Sequence, residues 1–300
     1  MKKFLLVISI MLGVFFTFTA CGDKTNKQED KSAKIRVGVT IYPLKYFTEA
    51  IGGDKVEAFS IIPDGSDAHD FDPKPMDLKK LNSTDIFIYN GLGMEDWIDS
   101  ILKTLKGTDV KLVEASNGIE ALSAIEEDHH EHGEETDHDE EHNHGGKDPH
   151  VWLSLSDALI EAENIKNALV EVDQENKDYY EENYNNLVKE FTFLKDEYLV
   201  KFNSISNKKF VTGHAAFGYL CRDFGLTQNS IADVFGEGEV KFRDFESLIE
   251  YSKINNVKVI FSESTASEKE SETLAKEVGA KVEKIYTLET QENNMSYIEG

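Results

Sequence analysis

The chain has 300 residues, of which 40% are hydrophobic and 30% are charged, and this balance excludes both a polytopic membrane protein and a chain disordered throughout. Lys and Arg total 32 against 57 Asp and Glu, and the formal net charge of -25 argues against nucleic acid as a partner, because binding phosphates requires a cationic surface. Two cysteines are too few for a disulfide framework or a cysteine-based zinc site, whereas the acidity is compatible with binding cations.

The N-terminal segment has the features of an export signal followed by a polar tether. Two lysines precede an apolar run, so residues 1–20 are predicted to be a signal peptide. Small residues flank Cys21 and resemble a bacterial lipobox, although Phe18 stands where leucine is usual. The resemblance implies a lipid on Cys21 and residues 21–33 as a tether, which would place the protein outside the cytoplasm on the bacterial cell membrane. The alternative is an ordinary secretory signal with an incidental cysteine.

Residues 34–173 alternate short apolar strands with amphipathic helices, a pattern typical of a parallel sheet covered by helices. The predicted strands are 34–41, 56–62, 85–90 and 110–113. The predicted helices between them are 43–51, 75–83 and 94–106. We therefore expect an N-terminal α/β lobe, with an acidic, His-rich loop at 126–147.

A long amphipathic helix is predicted next, since residues 176–205 contain no Gly or Pro and carry aromatic and leucine residues at spacings of three and four. It is either a surface helix or, as we favour, a strut over 174–206 joining two α/β halves. Residues 207–300 then form the second lobe. Its predicted strands are 209–212, 257–262 and 281–286, and its predicted helices are 216–224, 244–255 and 267–278.

Six of the nine histidines crowd into the acidic loop. They are His129, His130, His132, His138, His142 and His144. Ten acidic residues accompany them, and a segment of this composition cannot bury a core. Neutral imidazoles beside carboxylates form a loose, exchangeable, low-affinity site for divalent metal. The alternative is an acidic loop that only promotes solubility.

The other three histidines each lie in a distinctive loop. His69 begins the segment HDFDP, His150 lies in DPHVWLS, and His214 lies in TGHAAFGY at the end of a predicted strand. Ligands gather at the carboxyl ends of strands in open α/β sheets, so these loops are expected to meet in one cleft. Three such loops beside a His-rich segment predict a metal site.

Together with the lipobox and the acidic loop ahead of DPHVWLS, these motifs resemble the zinc-type cluster A-I solute-binding proteins of ABC importers. The resemblance covers nearly all of the chain after the signal. It implies two lobes with parallel-sheet cores joined by one long rigid helix, and a metal held between the lobes. It also implies delivery to a membrane permease driven by a separate ATPase subunit. The family normally continues into a final helix, so a sequence that stops at Gly300 is compatible with a truncated chain.

The fourth ligand is less clear from the resemblance, because many family members supply an aspartate where this chain has Tyr286, a poor zinc ligand. Glu289 in the same loop is the preferred substitute, and Glu263 or a water molecule is the alternative. The alternative is that Glu289 is an ordinary solvent-exposed loop carboxylate that binds no metal. Three imidazoles with one carboxylate or water suit tetrahedral zinc, whereas manganese favours more oxygen ligands, so zinc is the first choice and manganese the second.

Three histidines with an open coordination position also describe a hydrolytic zinc site. The sequence contains no His-Glu-x-x-His pair, and it has no carboxylate obviously placed as a general base. The chain is therefore predicted not to be an enzyme. A zinc metallohydrolase and a surface adhesin remain the alternatives to metal import.

Overall fold

The computed structural model describes residues 34–124, 146–236, 242–263 and 268–300. These residues belong to one compact unit, Lys34–Gly300. The predicted signal peptide, the tether with Cys21 and the six loop histidines lie outside the described residues. Within the described part of the chain, no helix is both long and apolar enough to cross a membrane.

The first lobe is built on a four-stranded parallel sheet. Its strands are β1 (Ile35–Val39), β2 (Val56–Ser60), β3 (Ile86–Tyr89) and β4 (Lys111–Glu114), in the order β2-β1-β3-β4. The connecting helices are α1 (Tyr42–Gly52), α2 (Pro75–Leu81) and α3 (Ile98–Leu105). The inner strand β3 reads IFIY and is apolar on both faces, because a parallel sheet is covered on both sides. The predicted parallel α/β architecture is confirmed.

Two helices follow the first sheet. Helix α4 (Leu155–Val172) begins after Ser154, whose hydroxyl accepts a hydrogen bond from the Asp157 amide at 3.2 Å and so caps the helix. Helix α5 (Lys177–Ser204) has 28 residues and packs against α1 and α4. At its far end the Phe202 ring lies 5.0 Å from that of Phe224 in the second lobe, measured between centroids. The long helix therefore joins the two lobes, as predicted.

The second lobe repeats the design of the first. Its strands are β5 (Lys209–Thr212), β6 (Thr227–Ser230), β7 (Val259–Ser262) and β8 (Lys281–Lys284), all parallel, in the order β6-β5-β7-β8. The helices are α6 (Gly218–Phe224), α7 (Phe242–Ile254) and α8 (Glu268–Val278). Strand β6 was not predicted, because TQNS has no apolar alternation. It lies at the edge of the described sheet, where pairing with the β5 backbone defines it.

The segment after β8 returns to the first lobe. Tyr297 is buried there, with its ring 5.0 Å from that of Phe47 in α1 and 5.6 Å from that of Phe191 in α5, between centroids. Its hydroxyl donates a hydrogen bond to the Trp152 carbonyl oxygen. The last residues of the chain are thus held by the core of the first lobe, although they follow the last strand of the second.

A buried carboxyl group connects two loops at the carboxyl ends of the first sheet. Glu95 accepts hydrogen bonds from the Thr40 hydroxyl at 2.6 Å and from the amides of Asn90 and Gly91 at 2.8 and 3.0 Å. The Asn90 side chain in turn donates to the Pro149 carbonyl at 3.0 Å, just before His150. Burial raises the pKa of Glu95 to about 7 even though these donors lower it.

The folded chain is expected to lose stability as the pH rises from about 4.5 to 7, because the folded state keeps a proton on Glu95 that the unfolded state has released. Between pH 5 and 7.5, a Glu95→Gln variant should lose about 2 kcal/mol less than the wild type. The measurement is urea unfolding at pH 5 and 7.5 in the presence of a chelator. Glu57→Gln, an exposed change of the same charge, is the control. Equal pH dependence in all three proteins would contradict the prediction.

Candidate metal centre

His69, His150, His214 and Glu289 converge on one point. One ligand atom from each lies within 4.8 Å of the other three, and among the described residues this is the one such group of His, Cys, Asp and Glu side chains. The Nε2 atom of His150 lies 3.3 Å from that of His69 and 3.4 Å from that of His214. The Glu289 Oε1 atom lies 3.7 Å from His150 Nε2 and 3.9 Å from His214 Nε2.

The fold brings these residues together because three of them follow parallel strands. His69 lies in the loop after β2, His214 directly after β5, and Glu289 after β8. His150 precedes the short 3-10 turn Val151–Leu153. Since the carboxyl ends of parallel strands form a crevice, two such sheets can direct several loops at one centre.

The centre is removed from solvent. His150 is fully buried, His214 and Glu289 are 3% and 2% exposed, and His69 is partly buried. The Oε1 atom of Glu289 is buried and accepts no hydrogen bond from any described residue. A buried carboxylate oxygen in this state is costly unless a cation compensates it. Three imidazole nitrogens and one such oxygen are a donor set that fits a zinc ion.

The charge balance of the pocket also favours a cation. Burial by itself lowers the pKa of His150, but its interactions with Asp148 and Glu289 outweigh this effect and raise the pKa to about 9. Burial raises the pKa of Glu289, yet its interactions with the three histidines lower that pKa to about 2. The three histidines thus favour the ionised form of Glu289, the form that can bind a dication.

Two further carboxylates contact the histidines from behind. Asp148 Oδ1 accepts hydrogen bonds from the ring Nδ1 and the backbone amide of His150, both at 2.9 Å. Glu263 accepts from His214 Nδ1 through one oxygen, and through the other from the amides of Gly213 and His214 at 3.0 and 3.3 Å. Both contacts leave Nε2 facing the centre. Glu263, the alternative fourth ligand, therefore lies behind His214, and the geometry favours Glu289.

The sequence did not single out the supporting residues Asp148, Tyr219 and Phe235. The Tyr219 hydroxyl donates to the Asp148 carbonyl at 2.6 Å and accepts from the Leu122 amide at 3.0 Å. The ring of Phe235, in the second lobe, lies perpendicular to that of His69 with centroids 5.7 Å apart. Asp148 could have been recognised as the carboxylate two residues before a histidine. The other two contacts are long-range and have no local signal.

Comparison with known proteins identifies similar chains. The family model described as zinc-uptake complex component A, periplasmic (ZnuA), matches residues 37–300. A Treponema pallidum protein described as metal-binding is 42% identical over 295 residues, covering 98% of this chain and 92% of that protein. The high-affinity zinc uptake system protein ZnuA of Bacillus subtilis is 37% identical over 297 residues, covering 97% and 92%. The crystal structure of a Zn(II)-bound AdcAII variant of Streptococcus pneumoniae has a TM-score of 0.77 at 31% identity, covering 89% of this chain and 94% of that one.

Proposed function

Because the chain belongs to the ZnuA family of zinc-uptake proteins, we propose that it is an extracytoplasmic solute-binding protein that captures zinc(II) for an ABC-type importer. One observation carries the proposal for this chain. His69, His150, His214 and Glu289 offer ligand atoms within 4.8 Å of one another in a mostly buried pocket between two lobes. In this proposal zinc is the transported substrate, and these four side chains are its ligands.

Zinc is preferred over manganese on the chemistry of the donor set. Three imidazole nitrogens and one carboxylate oxygen match the four-coordinate tetrahedral preference of zinc. Manganese sites favour more oxygen ligands, which makes manganese the second choice. Four protein ligands complete a tetrahedral site, and a completed site holds a metal without performing chemistry. The matching family and the Bacillus subtilis relative are described by zinc uptake and not by a reaction, which supports the prediction that the chain is not an enzyme.

The N-terminal sequence features and the order of the lobes support a more detailed assignment of the subfamily, the membrane anchor and the lobe boundaries. Within the family we assign the chain to the cluster A-I solute-binding lipoproteins. Residues 1–20 are its signal peptide, and the lipid on Cys21 holds the protein to the membrane through residues 21–33. Residues 34–173 and 207–300 contain the two sheets, and residues 174–206 link them. The partners are a membrane permease and its ATPase.

The full-length protein is expected to bind one zinc ion tightly, and a variant that lacks most of the acidic loop should keep this site. The loop histidines would collect zinc at low affinity or sense its abundance, whereas the tight site uses residues elsewhere in the chain. Ser123 and Lys147 form an antiparallel bridge, so a short glycine linker can replace residues 126–145 without separating the loop ends. Zinc titration against a competing chelator measures both proteins, and the deletion should remove weak binding only.

Manganese serves as the second probe in the same titration. Tighter binding of manganese than of zinc by the full-length protein would overturn the assignment of the metal. Loss of stoichiometric tight zinc binding on deletion of the loop would show that the loop, and not the buried pocket, forms the main site.

A further inference from the structure

The four side chains of the pocket are divided unequally between the lobes. His69 and His150 belong to the first lobe. Glu289 follows β8, yet its backbone carbonyl accepts a hydrogen bond from the Tyr42 amide of α1 at 2.9 Å, and its neighbour Leu288 packs in the core of the first lobe. Of the four, His214 alone is carried by the second sheet. Three of the proposed ligands are therefore attached to the first lobe, and the fourth, His214, is attached to the second.

His214 is held by Glu263, which lies 49 residues further along the chain. Glu263 directly follows β7, and β7 pairs with β5, the strand that leads to His214. Glu263 is buried, and its carboxylate accepts from the ring Nδ1 atom through one oxygen and from two backbone amides through the other. The hydrogen bond between Glu263 and His214 therefore joins the ends of two adjacent strands, β7 and β5.

Other contacts position the backbone of His214, whereas Glu263 orients its ring. The His214 carbonyl oxygen accepts hydrogen bonds from the Thr212 hydroxyl at 2.6 Å and from the Gln228 side chain at 2.8 Å. An imidazole that donates Nδ1–H to a carboxylate presents the Nε2 lone pair on its other side. In the opposite tautomer an N–H group would face the centre, and His214 could not bind a metal.

Resting on the proposed function, we propose that Glu263 is a positioning residue that makes His214 the closing ligand and so sets the rate of zinc release. His69, His150 and Glu289 capture the ion on the first lobe. His214 then completes the coordination from the second lobe. In this arrangement one bond joins the metal to the second lobe. Because Glu263 keeps His214 in the tautomer that can form this bond, Glu263 controls the rate at which the lobes separate and release the ion.

The test is Glu263→Gln in the full-length protein. The glutamine keeps the shape and an oxygen for the backbone amides, but it can turn an N–H group toward His214 Nδ1, which must then accept and carry its proton on Nε2. Zinc affinity should fall about 10- to 100-fold, the usual range for a residue that orients a ligand. The loss should lie in faster release to a chelator, with little change in the association rate. Glu283→Gln, an exposed change of the same charge on β8, is the matched control.

The tautomer of the His214 ring can be measured directly, and it would not change if Glu263 only stabilised the fold. Nitrogen-detected NMR of the histidine rings in the metal-free protein at pH 8 should place the His214 proton on Nδ1 in the wild type and on Nε2 in Glu263→Gln. Glu263→Ala offers no competing donor and should lose less affinity than Glu263→Gln, and it supplies a second variant if the first folds poorly. A larger loss in the alanine variant would overturn the tautomer argument.

Two further outcomes separate this inference from the function on which it rests. Wild-type release rates and an unchanged tautomer in Glu263→Gln would overturn the role of Glu263 while zinc capture stands. If His150→Ala also kept tight zinc binding, the proposed function itself would fail, and the inference with it.

Discussion

Replacing His150 with alanine is expected to abolish tight zinc binding. The His150 Nε2 atom is central in the pocket, 3.3 Å from that of His69, 3.4 Å from that of His214 and 3.7 Å from Glu289 Oε1. Structural zinc sites in zinc-finger peptides are worth about 10–16 kcal/mol, so an equal share for each of four ligands is about 2.5–4 kcal/mol. The expected loss is therefore about 100- to 1,000-fold in affinity. Competition with a chelator of known affinity measures it.

The same substitution should destabilise the metal-free protein. Asp148 and Glu289 both contact His150, and their interactions raise its pKa to about 9. At neutral pH the alanine variant therefore removes the buried cation that pairs with Asp148 and one of the three histidines that face Glu289. Breaking a buried ion pair by removing one partner costs about 3–5 kcal/mol. Urea unfolding in the presence of a chelator tests this effect separately from metal binding.

The control for His150 is a histidine of the acidic loop. His142→Ala changes the same residue type in the loop that is predicted to bind metal only weakly, and it should leave the tight site intact. An affinity for zinc within threefold of the wild type in His150→Ala would mean that the buried cluster is not the zinc site.

Replacing Glu289 with glutamine is expected to weaken zinc binding by about 100-fold, again on the scale of one ligand. Glutamine is nearly the same size, so the burial is kept and the negative charge is lost. Glu289 is the carboxylate that faces the three imidazoles, and its Oε1 accepts no hydrogen bond from any described residue. Thermal unfolding with and without zinc measures the effect, since a ligand stabilises the folded state in proportion to the logarithm of its concentration over Kd.

Two companion variants define the role of Glu289. Glu277→Gln removes an exposed charge in α8 and should keep the full zinc-dependent increase in Tm. Glu289→Asp keeps the charge but withdraws the oxygen by one methylene, and it should lie between the wild type and the glutamine variant. An undiminished increase in Tm for Glu289→Gln would favour a water molecule as the fourth ligand.

Much of the fold could be predicted from local patterns. The alternation of apolar strands and amphipathic helices identified seven of the eight described strands. The inner strand β3 leaves the most direct trace in the sequence, because it is apolar on both faces. The exception was β6, whose residues Thr227–Ser230 are all polar. It pairs with β5 through backbone hydrogen bonds, which do not depend on side-chain hydrophobicity.

The path of the last segment could not be predicted from the sequence. Residues after β8 follow the second lobe in chain order, so their natural assignment was to that lobe. In the structure Tyr297 packs against both Phe47 and Phe191, and the Glu289 carbonyl accepts a hydrogen bond from the Tyr42 amide. These contacts join residues more than 100 positions apart, and no local periodicity encodes such a pairing.

The sequence by itself identified His69, His150 and His214 as candidate ligands of one metal, from their residue type and their positions in loops near strand ends. Imidazole chemistry and strand periodicity are local properties, so the order of residues is enough to recognise them. Only the tertiary structure distinguishes the two carboxylates, and its geometry favours Glu289 as the proposed fourth ligand. Glu263 and Glu289 both follow strands of the second sheet, but one lies behind a histidine ring and the other faces the centre. That difference depends on side-chain direction and on contacts between distant segments, which exist only once the two sheets have come together.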